Sequence, residues 1–385
     1  MTTILITALE ASGDDLGAGL MRALKQRLGA EVRFIGVGGA GMQAEGLSSA
    51  FDIAELSVVG LLEGLLAYRR ADRRARQIAE LAAREAPDIA VLIDSWGFSY
   101  LLARRLRRVR PDLPLVKYVA PQAWATRPGR AKSLARYFDR LLSIIAFERP
   151  LFEAAGAEVT FVRHPALADD VPQGEGARLR ERIGAGPGDP ILLVLPGSRN
   201  SEVARLMPPF EDALARLAQD RPSLQVVIAP APTVADQVAA RAAGWPFRAH
   251  VILDAEGRRD AMAAADVALA CSGTVTTELA VAGCPMVVAY RLGPVTYEIA
   301  RRIVRTRFIT LINIAADEAV APELIQGDCT GENLARQLAL RLDDPLFRRA
   351  QGEAQSRALD ALGGRGPPPA ERAAEAILGM LTRRS

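Results

Sequence analysis

Val267-Ala-Leu-Ala-Cys-Ser-Gly-Thr-Val-Thr-Thr-Glu278 is the stretch on which the reading of this chain turns. Its first five residues form an apolar run long enough for one buried parallel strand. Ser272 and Gly273 break the run, and residues 274–283 have helical length, ending at Gly283 and Pro285. Strand, tight turn and helix start leave backbone N–H groups at a helix N-terminus, and Gly273 lets an anion come close to them. Glu278 follows Thr274 by one helical turn and shares its face. A carboxylate there can accept both hydroxyls of a ribose while the helix start holds a diphosphate. An ordinary α/β turn carrying a surface glutamate has the same pattern.

The pattern occurs twice. Residues 191–195 are another apolar strand, and Pro196-Gly197-Ser198-Arg199-Asn200-Ser201-Glu202 leads from it into a helical pattern. Arg199 is a permanent cation whose planar fork suits phosphate oxygens, although a solvated surface arginine reads the same way. Two such turns in one α/β half can converge at the C-terminal edge of a sheet, where doubly wound folds bind their ligands.

The whole chain narrows the classes. Its 385 residues, half of them apolar, suggest two α/β domains. Net charge is +3, and no dense basic tract interleaved with aromatics marks a nucleic-acid partner. Three scattered cysteines and two histidines give neither a disulfide frame nor metal-ligand spacing, so no metal and no cofactor is expected. Met1 leads straight into a strand without a basic region, and no apolar run reaches the roughly 18–20 residues of a spanning helix. The expected location is cytoplasmic, free or peripheral to a membrane.

Along the first half, strands are expected at 4–7, 32–36, 89–93, 115–119, 140–145 and 158–162, with a first helix at 16–28. Gly36-Val-Gly38-Gly39-Ala-Gly41 resembles a dinucleotide loop but follows the second strand rather than the first, and is read as gripping a sugar or headgroup. Leu61, Leu62, Leu65 and Leu66 share a helical face, and Arg69, Arg70, Arg73, Arg74 and Arg76 follow them. That pairing suits an interfacial helix on anionic lipid, or a core-facing helix with a solvated end. Asp94 closes an apolar strand, which aims a carboxylate into the ligand crevice as a general-base candidate; an N-cap for the next helix is the other reading. Residues 120–127 form a polar and aromatic loop. Residues 164–190, rich in Pro, Gly and charge, read as a linker. Beyond it, strands are expected at 191–195, 225–229, 251–253, 267–270 and 286–289, with a last helix at 370–381. Neither a Walker A pattern nor an Asp-x-Asp pair is present, against a P-loop ATPase and a metal-bound nucleotide sugar.

Taken in order, these motifs resemble the lipid-A-disaccharide synthase family almost end to end. Glu10-Ala-Ser12-Gly-Asp14, Glu55-Leu-Ser-Val58, Ile93-Asp94, Tyr118-Val-Ala-Pro-Gln-Ala-Trp124, Phe147-Glu148 and His164-Pro165 carry the resemblance in the first half. Leu195-Pro-Gly-Ser-Arg199 with Glu202, Ser272-Gly-Thr274 with Glu278, Pro285-Met-Val-Val288 and Tyr290-Arg291 carry it in the second. The family's Asp-Ala-Pro-Asp-Phe-Asn is Asp94-Ser-Trp-Gly-Phe-Ser here, and its Pro-Asn-Leu-Leu-Ala-Gly is Ile312-Asn313-Ile-Ala-Ala-Asp317, which keeps Asn313 and loses the flanks.

The resemblance implies an α/β fold of the GT-B kind, two Rossmann-like doubly wound domains facing a central cleft. An acceptor-binding domain would span 1–165, with helices from about 345–385 packing back on it, and a UDP-sugar donor domain 166–344. It implies an inverting hexosyltransferase that condenses UDP-2,3-diacylglucosamine with 2,3-diacylglucosamine 1-phosphate (lipid X), giving the β-1,6 disaccharide 1-phosphate and UDP. Asp94 would be the base. Gly197, Ser198, Arg199, Ser272, Gly273, Thr274 and Glu278 would hold UDP, and Glu10, Ser12 and Asn313 sugar or phosphate. Because both substrates are acylated, the Leu61, Leu62, Leu65 and Leu66 patch then reads as membrane contact at the cytoplasmic face of the inner membrane. A homodimer is left open. The rivals are a UDP-N-acetylglucosamine 2-epimerase, a muramyl-pentapeptide glycosyltransferase, or a membrane-associated nucleotide sensor without catalysis.

Overall fold

Ile89-Ala-Val-Leu-Ile93 and Ile191-Leu-Leu-Val-Leu195 are buried along their whole length, as strands covered by helices on both faces must be. Each lies inside a six-stranded, all-parallel sheet. The computed structural model describes residues 1–57 and 64–382, with the backbone alone for residues 30, 57 and 64–67.

The first sheet contains β1 (Thr2–Thr7), β2 (Val32–Val37), β3 (Ile89–Ile93), β4 (Leu115–Tyr118), β5 (Arg140–Ser143) and β6 (Val159–Phe161), in the order β2-β1-β3-β4-β5-β6. The second contains β7 (Ile191–Leu195), β8 (Gln225–Ile228), β9 (Ala249–Val251), β10 (Val267–Cys271), β11 (Met286–Tyr290) and β12 (Glu323–Ile325), in the order β12-β11-β10-β7-β8-β9. In each sheet the chain winds outward one way, returns to the middle and winds out the other way. The reversal falls between β1 and β3 in the first sheet and between β7 and β10 in the second. A doubly wound sheet has its ligand crevice at that reversal, beyond the carboxyl ends of the strands.

The chain divides into two units, Met1–Asp169 with Gly366–Ser385, and Asp170–Arg365. The last helix, Pro369–Thr382, buries Ala373, Ala374 and Ile377 in the same core as Leu20 and Leu24 of the helix Ala11–Leu28. The return to the first unit begins at 366, not near 345. The helix Pro345–Ala361 stays with the second unit because Gln351 and Gln355 donate to the carbonyls of Met286 (2.8 Å) and Cys284 (3.0 Å) at the start of β11.

Three further sequence expectations change. The linker at 164–190 contains the helix Gly176–Ile183, which Arg178 ties to the buried Asp260 at 2.5 and 2.8 Å, so most of it belongs to the second unit. The sixth strand of the second sheet, β12, is a three-residue edge, Glu323-Leu-Ile325, that has no apolar run to mark it. The first helix starts at Ala11, inside the Glu10-Ala-Ser-Gly-Asp14 motif, rather than at 16. Leu61 and Leu62 lie outside the described residues, as do the side chains of Leu65 and Leu66. Among the described residues, no helix is long and apolar enough to cross a membrane.

Candidate active site

In the first unit, β1 and β3 deliver Glu10 and Asp94 to the two sides of the sheet's reversal. Asp94 and Ser95 both have left-handed backbones, with φ of 46° and 41°. Two consecutive non-glycine residues in that region cost of order 1–3 kcal/mol each and persist only where the surroundings impose them, typically at functional sites. Two hydrogen bonds hold it here. Asp94 N–H donates to the Tyr118 carbonyl at 2.9 Å. The Ser99 hydroxyl donates to the Asp94 carbonyl at 2.8 Å. Gly13, in the first helical turn, lies beside it: a Cβ there would be 3.5 Å from the Asp94 Cβ, an ordinary contact. The Asp94 carboxylate takes no hydrogen bond among the described residues and caps no helix, which sets the N-cap reading aside.

Lys117 supports this strand end from below. It is fully buried in β4, and its ammonium donates to the carbonyls of Leu92 (3.2 Å), Tyr118 (3.3 Å) and Asp94. Burial pulls it down to about 7, against the pull of the Asp94 and Glu10 charges, which favour the protonated form. A lone lysine in the apolar run Leu115-Val-Lys-Tyr118 was the available sequence signal, and sequence reasoning passed over it. Glu10 and Ser12 are exposed at the same edge. Asp14 is not: its carboxylate accepts the amides of Gly39 (2.7 Å), Gly41 (2.8 Å) and Met42 (3.1 Å). The glycine cluster is therefore a clamp on Asp14, with the Gly39 and Gly41 amides spent on its carboxylate and the Gly38 amide given to the Ser49 hydroxyl. Gly36 is glycine because a Cβ would sit 2.0 Å from the Ile6 carbonyl oxygen.

In the second unit, the two glycine bends lie at the ends of the paired strands β7 and β10 and line one cavity of about 250 Å³, together with Glu278 and Arg258. Gly197 has φ 110°, and a Cβ on it would meet the Glu202 carboxylate at 2.7 Å. Glu202 shapes the bend. One carboxylate oxygen accepts the amides of Ser198 (3.0 Å) and Arg199 (3.2 Å), and the other receives the Arg199 guanidinium (2.8 Å). The Arg199 side chain nonetheless stays 73% exposed, so an anion can reach it. Nothing lies within 4 Å of a Cβ built on Gly273, which leaves the start of the helix Thr274–Val281 open from that side. Glu278 is half-buried and bonded at 3.0 Å to Arg258, a partner twenty residues away that no local pattern announces. Cys271 lines the cavity as a buried thiol pushed up to about 12, chiefly by burial, and is no nucleophile.

Asn313 is turned inward. It is 0% exposed; its amide donates to the Ala321 carbonyl and Glu323 at 2.8 Å, and its oxygen accepts from Ala321 N–H at 2.9 Å. With its hydrogen bonds spent on closing the 310–323 loop, it presents no surface to a sugar.

A family model described as lipid-A-disaccharide synthetase matches residues 4–371. The chain belongs to the lipid-A-disaccharide synthase family. A member from Rhodospirillum centenum is 42% identical over 381 residues, covering 99% of this chain and 95% of its own. Solved structures share the fold at much lower identity. The calicheamicin glycosyltransferase CalG4 superposes with a TM-score of 0.61 at 18% identity, covering 100% of this chain and 99% of that one. The UDP-GlcNAc 2-epimerase from Neisseria meningitidis bound to UDP-GlcNAc gives 0.59 at 10%, covering 99% of each. Fold alone is thus shared by transferases and an epimerase, and membership of the synthase family separates them. The fold is GT-B, and the family is one of glycosyltransferases.

Proposed function

We propose that this chain joins UDP-2,3-diacylglucosamine to 2,3-diacylglucosamine 1-phosphate, giving the β-1,6-linked disaccharide 1-phosphate and UDP with inversion. The acceptor 6-hydroxyl oxygen bonds to the donor's anomeric carbon while the bond from that carbon to the diphosphate breaks. The hydroxyl proton passes to Asp94, and UDP leaves with the electron pair. Arg199 and the helix start at Ser272, Gly273 and Thr274 stabilise the charge that grows on the diphosphate, a preorganised arrangement of cation and N–H dipoles. Glu278 holds the ribose, and Glu10 and Ser12 position the sugar. This set of charges supplies leaving-group stabilisation from the chain itself, so turnover is expected without a resident metal.

The observation that supports the reading most is the second unit's cavity, where both glycine bends, the Arg199 fork and Glu278 meet at one sheet reversal. The test is UDP release and disaccharide formation from radiolabelled lipid X and the acylated UDP-sugar, with and without chelator. Turnover unaffected by chelator is expected; UDP bound but never released from the acylated donor would overturn it. Association with the cytoplasmic face of the inner membrane belongs to the same proposal. Changing Leu61, Leu62, Leu65 and Leu66 to Ser is expected to release the chain from vesicles, and unchanged binding would return those residues to a core-facing role.

A further inference from the structure

A second cavity, of about 800 Å³, opens in the first unit and shares Ser95 and Trp96 with the strand end that carries Asp94. One part of its wall is apolar and aromatic. Trp96 and Tyr100 stack at 5.6 Å along one face of the helix Trp96–Val109, beside Leu56, Phe98 and Leu101. Another part is cationic. Arg70, Arg104, Arg127 and Arg130 all line the cavity, and the one acid among its described lining residues, Glu55, is taken by Arg74. Two of the four arginines have protein partners that use them: Arg70 donates to the Glu55 carbonyl, and Arg104 lies over the Tyr100 ring at 5.6 Å. Among the described residues Arg127 and Arg130 have none and neither meets a carboxylate; burial, and then the positive field of Arg127, lowers the Arg130 pKa. They flank the start of the helix Gly129–Tyr137, where Ser133 also reaches the cavity.

Two guanidinium forks in one cavity without a carboxylate among the described residues form an incomplete arrangement. A doubly charged phosphate monoester completes it, since each fork can give two parallel hydrogen bonds. We propose that Arg127 and Arg130 are a clamp for the anomeric phosphate of the acceptor, whose acyl chain lies along the Trp96 and Tyr100 face. This rests on the transferase reading above and adds to it the group that distinguishes a phosphorylated acceptor from a neutral one.

The test is equilibrium binding of detergent-solubilised diacylglucosamine 1-phosphate and of the same lipid without its phosphate to the full chain, R127Q/R130Q and R127K/R130K. The wild type is expected to favour the phosphorylated lipid by about tenfold or more, the worth of one charge-assisted hydrogen bond. R127Q/R130Q should bind both lipids alike while holding the neutral one as the wild type does, which also certifies its fold. R127K/R130K should fall between, because lysine keeps the charge and loses the fork. A preference that survives R127Q/R130Q, or equal loss of both lipids, would overturn the clamp. So would a loss of binding to phosphatidylglycerol vesicles as large as that for the solubilised ligand, because the arginines would then serve the membrane surface. If the wild type binds with this preference yet releases no UDP, the clamp stands and the transferase reading fails.

Discussion

The two sheet reversals share a topology and carry opposite chemistry. At the first, between β1 and β3, the outward groups are acidic, exposed Glu10 and half-buried Asp94, and the cation beneath them, Lys117, is buried in the strand layer. At the second, between β7 and β10, the exposed group is the cation Arg199, and the acid that holds it, Glu202, is buried. Each edge turns one sign of charge outward and spends the other on positioning. The outward acid suits a base that must take a proton, and the outward cation with its N–H groups suits a departing diphosphate. The fold provides the place; the residue at the strand end decides which half of the reaction is served there.

Asp94→Asn tests the comparison most severely. Losing a general base costs about 10²- to 10⁴-fold in turnover, and UDP affinity should barely move because the base does not touch the nucleotide. Near-normal kcat in a single-turnover assay would remove Asp94 from the mechanism. Arg199→Ala, at the other edge, should lower kcat by roughly 10²-fold and weaken UDP binding as well, since the diphosphate loses a charge-assisted donor. Titration with UDP separates the two edges: if both variants weaken UDP equally, the division of labour is wrong.

Lys117→Met probes the buried half of the first edge. The folded chain holds this group at about 7 and the unfolded chain near 10.5, so between those values the unfolded state binds more protons. Its contribution to stability therefore grows as pH rises through that window. Urea midpoints at pH 7.5 and 9.5 should show that rise in the wild type and lose it in the variant; parallel curves would mean the group does not titrate there.

The smallest effect is expected at Glu148. It is buried after β5, accepts from Trp124 Nε1 at 3.2 Å and lies 2.7 Å from the Ser143 hydroxyl. Burial raises it to about 7 from 4.5. The stability it contributes is full below 4.5 and lost as pH rises to 7, because the folded chain keeps a proton that the unfolded chain gives up. Glu148→Gln should remove that share of the pH dependence with little change in kcat, read as the difference in Tm between pH 5 and 7.5.

Some of this was legible in the chain itself. The strand-turn-helix units around Gly197 and Gly273 could be read because apolar run, glycine and helix start are all local. Ten of the strands left a run close to their observed bounds; β9 lies at Ala249–Val251 rather than at 251–253, and β12, Glu323-Leu-Ile325, left no apolar run. Asp94 could be read because it ends such a run. Asn313 misled, since a polar residue matching a motif carries no mark of facing inward until Ala321 and Glu323 are packed around it. The glycine cluster at 36–41 misled for the same reason, the amides of Gly39 and Gly41 being claimed by Asp14 and that of Gly38 by Ser49.

The sequence by itself determined two α/β units, their alternation, and the residue types at the strand ends, because period and turn chemistry act over a few neighbouring residues. Tertiary structure alone decided the strand order, the return of residues 366–385 to the first unit, and the pairing of Glu278 with Arg258 and of Lys117 with the Asp94 carbonyl. Those depend on which distant segments share a sheet edge, and a hydrogen bond between residues twenty or more positions apart leaves no trace in the order of the letters.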